Sequence, residues 1–264
     1  MDLLVVGNVT RDEITRSSGN DVRLGGAAAY AALAAARLGY ETALVTVAPP
    51  DDPLLAPLRD ARGLTLHCVE DDVMTTFALD YTGPERVLAL RRRARALTAT
   101  DIPADCLHAP IAYVGPVAGE CDAALVGALD ARFVGAGLQG WLRRVGADGR
   151  VEPTDLGDPP RLNVAVVSDA DHPRVSEIAA RFLATGATVA ITHGARGATL
   201  ATASGWSIAI PAAPAREVDP TGAGDVFGVV LTLQLAAGTP PERAAHDAAK
   251  AAARVVEGPL LGSL

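Results

Sequence analysis

The sequence predicts an α/β fold, a three-layer α/β/α sandwich with a mostly parallel central sheet and a small β lid. Three observations carry this expectation. Short apolar runs, continuous in Leu3–Gly7 and Val164–Val167 and nearly so in Ala43–Val47, suit strands covered on both faces. They alternate with helical stretches in β-α-β-α-β order, which calls for parallel pairing. Residues 74–95 break that rhythm with two strand-like runs, Met74–Tyr81 and Arg86–Leu90, around the turn Thr82-Gly83-Pro84-Glu85.

The elements follow in order. After Leu3–Gly7, residues 8–23 read as polar and irregular. Gly25-Gly26 opens an Ala-rich helix through Leu38, closed by Gly39. Ala43–Val47 is a strand, Asp51–Arg62 a helix with Pro53 in its first turn, and Leu64–Val69 a strand. The hairpin over 74–95 needs a place outside the main sheet. The lid is therefore assigned to about 9–23 and 70–95, projecting from a single domain spanning 1–264 and able to exclude water from a site.

Alternation then resumes. Ile111–Val114 is a strand, Gly119–Leu129 a helix and Arg132–Val134 a strand, while 146–160 is loop-like. Val175, Ile178, Ala179, Phe182 and Leu183 mark one helix face, and Thr188–Thr192 is a strand. Residues 198–203 and 206–210 form a hairpin at Ser204-Gly205. The apolar run Val226–Ala237 is a buried helix stopped by Gly238-Thr239-Pro240. Thr239-Pro240-Pro241-Glu242 has capping-box spacing and opens a last helix to about Val256.

Bulk properties narrow the function. A chain of 264 residues, 49% hydrophobic, supports a sizeable core, and aromatics at 4% leave packing to small side chains. The net charge of −8 disfavours a nucleic-acid partner. The basic run Arg91-Arg92-Arg93 with Arg95 reads as a solvated edge. Cys68, Cys106 and Cys121 lack metal spacing and suit a reducing cytoplasm. The amino terminus shows neither a signal peptide nor a membrane span.

Chemistry concentrates at Asp219-Pro-Thr-Gly-Ala-Gly-Asp225. A helix that begins there offers free N–H groups and its positive dipole end to an anion. Asp225 adds a carboxylate at the edge. An anion cradle beside a base is what phosphoryl transfer to a hydroxyl requires. The stretch also reads as a Gly-rich loop capped by Asp225. Gly135-Ala-Gly137-Leu-Gln-Gly140 matches G-x-G-x-x-G but lacks an acidic residue closing a second strand, so a dinucleotide site is disfavoured. No G-x-x-x-x-G-K-[ST] occurs.

Three stretches together resemble the ribokinase-like (PfkB) carbohydrate kinases. Asp219–Asp225 with Phe227 is similar to the family's carboxy-terminal signature, Gly25–Gly39 to its amino-terminal one, and Ile191–Ala198 to its nucleotide-side Thr-x-Gly-x-x-Gly stretch. The resemblance implies an ATP- and Mg²⁺-dependent kinase acting on a small sugar or polyol. Asp225 would be the general base, with Gly222, Ala223 and Gly224 donating to the transferring phosphoryl group. Asp12, Gly25 and Gly26 would bind substrate. Thr192, Gly194, Gly197 and Thr221 would border the nucleotide, and Asp171 would organise Mg²⁺ through water, or N-cap the helix at 172–184.

Tyr30 stands where the family commonly has Asn, which puts the substrate in question. Gln139 and Arg143, at a strand exit, are further candidates for reading it. With Val114–Glu120 and Val256–Pro259, this pattern resembles a short subgroup of which some members phosphorylate inositol. A nucleoside kinase with a base slot at Tyr30 or Phe77 stays open, as does a non-catalytic sugar or nucleotide sensor. A monovalent-cation requirement and pairing of lids in a homodimer also stay open. His193, Trp141 and Trp206 read as structural, Lys250 as solvent-facing, and Arg86 as a turn charge or a substrate contact.

Overall fold

The computed structural model describes residues 1–83, 87–258 and 260–264. The expected turn residues Pro84 and Glu85, the strand start at Arg86 and the subgroup residue Pro259 lie outside the described residues. The first half of the chain runs β1 (Leu3–Val6), β2 (Thr10–Arg16), β3 (Gly19–Gly25), α1 (Ala27–Arg37), β4 (Thr42–Ala48), α2 (Ala56–Arg59), β5 (Leu64–Glu70), β6 (Thr75–Asp80) and β7 (Val87–Arg92). Next come β8 (Ile111–Val114), α3 (Ala123–Ala128), β9 (Phe133–Gly137), β10 (Arg143–Val145) and β11 (Val151–Pro153). The chain ends with β12 (Val164–Ser168), α4 (Val175–Ala184), β13 (Thr188–Thr192), β14 (Ala198–Ala201), β15 (Ser207–Ile210), α5 (Ala223–Ala236) and α6 (Pro241–Val255).

Among the described residues, nine strands form the central sheet in the order β5-β4-β1-β8-β9-β12-β13-β14-β15. Every pairing from β5 to β13 is parallel, and β14 and β15 add an antiparallel edge. Alternation along β1 sends Leu3 and Val5 into the core under α1, α5 and α6. Leu4 and Val6 go to the opposite core with α3 and α4. The result is the expected α/β/α sandwich. In α1 the ten residues Ala27–Ala36 are all buried, eight of them alanine, so the helix lies close against sheet and α5. The α5 core, Val226–Leu233, is buried all round, as its almost wholly apolar sequence requires, and its one polar side chain, Thr232, donates to Gly228 O.

A separate four-stranded sheet, β3-β2-β6-β7, is the lid. The supposedly irregular stretch 8–23 is largely its first hairpin, in which Thr10 pairs with Gly25 and Asp12 with Arg23. Cross-strand pairing overrides a local sequence that alternates poorly. The loop expected over 146–160 contains β11, which pairs with β10, and Arg150 just before it bridges Ala89 of the lid.

Several helix ends also differ. Residues 51–62 hold only a 3-10 turn (Pro53–Leu55), started by the Asp52 carboxylate accepting from Leu54 N, and the single turn α2. The helix expected from Gly119 begins at Ala123, because Asp122 caps it by accepting from Leu125 N. The capping box at Thr239 does not form. Pro240 is the N-cap, and the Thr239 hydroxyl bonds Gln234 Oε1 of the preceding helix. Among the described residues no helix is long and apolar enough to cross a membrane.

Candidate active site

A cleft of about 1050 Å³ lies between the lid and the ends of β9, β12 and β13. It is walled by Asp12, Gly26, Tyr30, Gln139, Arg143, Asp171, Thr192, Gly194, Gly197, Thr221, Gly222, Ala223, Gly224 and Asp225. The sequence candidates thus converge on one place. Gly25 stands just behind this wall. A Cβ there would lie 2.2 Å from Asp12 Oδ2, so the glycine makes room for the carboxylate.

Asp12 projects from β2 and accepts from the Thr10 hydroxyl at 2.7 Å. Burial pushes its pKa up to about 6, against the Thr10 hydrogen bond and the Arg143 charge. Arg143, at the start of β10, lies over the Phe77 ring at 5.8 Å and reaches Val117 O at 3.4 Å. Nearby, Glu120 accepts from the amides of Asn8, Val117 and Ala118, tying the exits of β1 and β8 together.

Asp225 occupies the first turn of α5. Its residue is partly open to the cleft, but protein encloses the carboxyl and pushes its pKa up to about 7. The Asp171 charge adds to the rise and Arg143 opposes it. A carboxyl so placed can take or give a proton near neutrality.

The helix starts at Gly222, with φ of 84°, the left-handed region that favours glycine. A Cβ on Gly222 would fall 2.2 Å from Tyr30 Cδ1, whereas one on Gly224 would meet nothing within 4 Å. The loop is therefore backed by the Tyr30 ring and open at Gly224. Asp219 shapes it, accepting from Thr221 N at 3.0 Å through Oδ1 and from Arg23 of the lid at 2.7 Å through Oδ2. The amides of Val218 and Asp219 bond Val256 O, anchoring the loop to the end of α6.

Tyr30, expected to meet substrate, is only 6% exposed and packs beneath Gly222 as well as lining the cleft. Burial and the surrounding carboxylates raise its pKa, so its hydroxyl stays protonated.

Asp171 accepts from Ser168 N at 2.9 Å and from Gln139 Nε2 at 3.0 Å. It thus caps the turn after β12 and not α4, whose N-cap is Arg174. Gln139 turns its amide nitrogen to this carboxylate. Among the described residues no cluster of three or more His, Cys, Asp or Glu could cage a metal. Asp171 retains lone pairs for a bound water, which suits an ion carried largely by phosphate oxygens.

At the far end of the cleft, His193 Nδ1 pairs with Asp169 at 2.9 Å and Nε2 with Thr199 Oγ1 at 3.0 Å. This clasp holds the turn carrying Gly194 and Gly197. Ala212, Ala213, Pro214, Ala249, Ala253 and Val256 make an apolar trough beside it. Lys250 is exposed and pairs with Asp247. Trp141 donates to Cys121 O as a packing residue, but Trp206 is 39% exposed. The G-x-G-x-x-G glycines serve packing. A Cβ on Gly135 would strike Thr232, and one on Gly140 the Pro116 carbonyl.

Two residues escaped the sequence. Arg23 carries no motif, and its pairing with Asp219 spans 196 positions. Tyr113 lies within a strand that reads as uniformly buried, with nothing to mark its hydroxyl.

Residues 162–263 match the model of the pfkB family carbohydrate kinases. Solved structures with the same fold include a sulfate complex of a pyrophosphate-dependent kinase in the ribokinase family. It is 19% identical, with 97% of this chain and 96% of that chain covered and a TM-score of 0.84. A pyrophosphate-dependent kinase of that family complexed with a pyrophosphate analog and myo-inositol is 19% identical, covering 98% and 97%, with a TM-score of 0.82. Thermotoga maritima ribokinase is 19% identical, covering 97% and 93%, with a TM-score of 0.76. Comparison with curated protein sequences gave no match. The carboxy-terminal part of the chain thus matches the pfkB carbohydrate kinase model, and over its whole length the chain has the fold of these ribokinase-family structures.

Proposed function

We propose that the protein transfers the γ-phosphoryl group of ATP to a hydroxyl of a small sugar or polyol, an inositol being the leading candidate. One observation carries this reading: a carboxyl with a pKa of about 7, Asp225, beside the open amide loop Gly222–Gly224. The acceptor lies under the lid, with a hydroxyl bound by Asp12 and Arg143 alongside. Asp225 takes the proton of the attacking hydroxyl. The amides of Gly222, Ala223 and Gly224 donate to the phosphoryl oxygens, each such donor contributing on the order of 3 kcal/mol to the transition state. ATP brings the phosphoryl group, and Mg²⁺ neutralises charge on its phosphates. Thr192, Gly194, Gly197 and Thr221 border the donor, and Asp171 would hold the Mg²⁺ through water.

The apolar trough favours a nucleotide, since a flat base suits alanines and a proline while pyrophosphate needs cations. Pyrophosphate is the second reading, favoured by the likeness to pyrophosphate-dependent kinases. Phosphorus NMR on a panel of myo-inositol, other polyols, sugars and nucleosides, each with ATP or pyrophosphate, tests both. A phosphorylated polyol formed with ATP supports the proposal. Turnover with pyrophosphate alone replaces the donor, and turnover of nucleosides alone replaces the acceptor. Ligand binding without turnover makes the protein a sensor.

A further inference from the structure

Tyr113, on β8, is wholly enclosed at 0% exposure, and its hydroxyl has no hydrogen-bond partner among the described residues. A phenylalanine would fill the same space without leaving a polar atom unpaired, a condition that costs roughly 1–3 kcal/mol. The space is itself built for the hydroxyl. It lies 2.2 Å from where a Cβ on Gly228 would be, and 3.3 Å from one on Gly137. Gly228 follows Asp225 by three residues on α5, and Cβ positions so spaced lie about 5–6 Å apart on one helix face. The Tyr113 hydroxyl therefore lies on the helix face that carries Asp225 one turn earlier, too far for a direct hydrogen bond but within the field of its charge.

We propose that Tyr113 is a positioning residue for the base: its buried hydroxyl donates to the Asp225 carboxylate through one bridging water and fixes the direction in which that carboxylate faces the acceptor. The inference rests on the phosphotransfer reading for its consequence, but its geometry does not. The other groups that act on Asp225 are the Asp171 charge from the β12 exit and the Arg143 charge from β10, with Tyr30 of α1 also in its field. Arg143 supplies the opposing positive charge, and Tyr113 a neutral donor from the sheet side of the helix. Burial and the Asp225 charge both raise the Tyr113 pKa, which keeps the donor proton in place.

Two measurements on the full chain test it. The first is a thermal-unfolding cycle of Tyr113→Phe, Asp225→Ala and the double variant. Tyr113→Phe is expected to lower the midpoint in the parent and to leave it unchanged or raise it beside Asp225→Ala. An equal shift in both backgrounds overturns the proposal, whatever the activity. The second is steady-state kinetics with Mg²⁺–ATP and the polyol turned over in the panel. Tyr113→Phe is expected to lower kcat about tenfold with both KM values within twofold. A kcat within twofold of the parent, or a loss confined to KM, overturns the positioning role. If no acceptor is turned over at all, the functional reading fails and the unfolding cycle alone decides the contact.

Discussion

Tyr30 and Gly222 are packed ring against backbone, so closely that a single added Cβ on the glycine would lie 2.2 Å from the ring. The residue that departs from the pattern of the kinases this chain resembles thus supports the loop at the heart of the site. Gly222 is constrained twice, by this contact and by its φ of 84°. Gly222→Ala should therefore destabilise the protein by about 2 kcal/mol or more, from left-handed strain and overpacking together. It should also lower kcat at least tenfold by moving the amides. Denaturant unfolding and steady-state kinetics check both. A variant with parental stability would mean that the loop relaxes away from Tyr30 without cost.

The charges around Asp225 set a pH dependence with a defined sign. With Asp225 near 7 and Asp12 near 6, kcat/KM should fall as pH drops below about 7, more steeply below about 6. Arg143 lowers both values, so Arg143→Ala should move the acid limb to higher pH. Asp171 raises that of Asp225, so Asp171→Asn should move the limb to lower pH, whatever it does to kcat. Opposite displacements of one limb are the signature. Displacement of both variants in the same direction would rule out these two charges as the cause.

The same carboxyl bears on stability. Its folded pKa lies above the ordinary 3.8, so its contribution favours folding at low pH and is lost as pH rises through about 7. Asp225→Asn removes the enclosed charge. Its unfolding midpoint should exceed that of the parent by several degrees at pH 8 and by much less at pH 5. A midpoint below the parent's at pH 8 would show that the ionised carboxylate is better paired than its surroundings imply.

Much of this molecule is legible in its sequence, for identifiable reasons. Parallel strands covered on both faces must be apolar throughout, and so β1, β4 and β12 announce themselves. Asp219–Asp225 is legible because a left-handed start and an open backbone demand glycine at fixed positions. The β2–β3 hairpin is not, because Thr10 and Asp12 put polar groups on its cleft side while Val22 is exposed, which hides the alternation. Asp171 is only half legible. Its spacing suits a helix cap, but the chain turns first and the carboxylate closes that turn onto Ser168 and Gln139. Arg23 and Tyr113 are silent because their partners, Asp219 and the α5 glycine face, come over a hundred positions later and meet them only in the folded chain.

The most direct test of the account is turnover by Asp225→Asn. The amide cannot accept the hydroxyl proton as a carboxylate does, yet it keeps the shape of the site. The account predicts a kcat reduced by roughly a thousandfold or more, with folding and binding of Mg²⁺–ATP retained in calorimetry. A variant that binds the donor and keeps kcat within tenfold of the parent would contradict it.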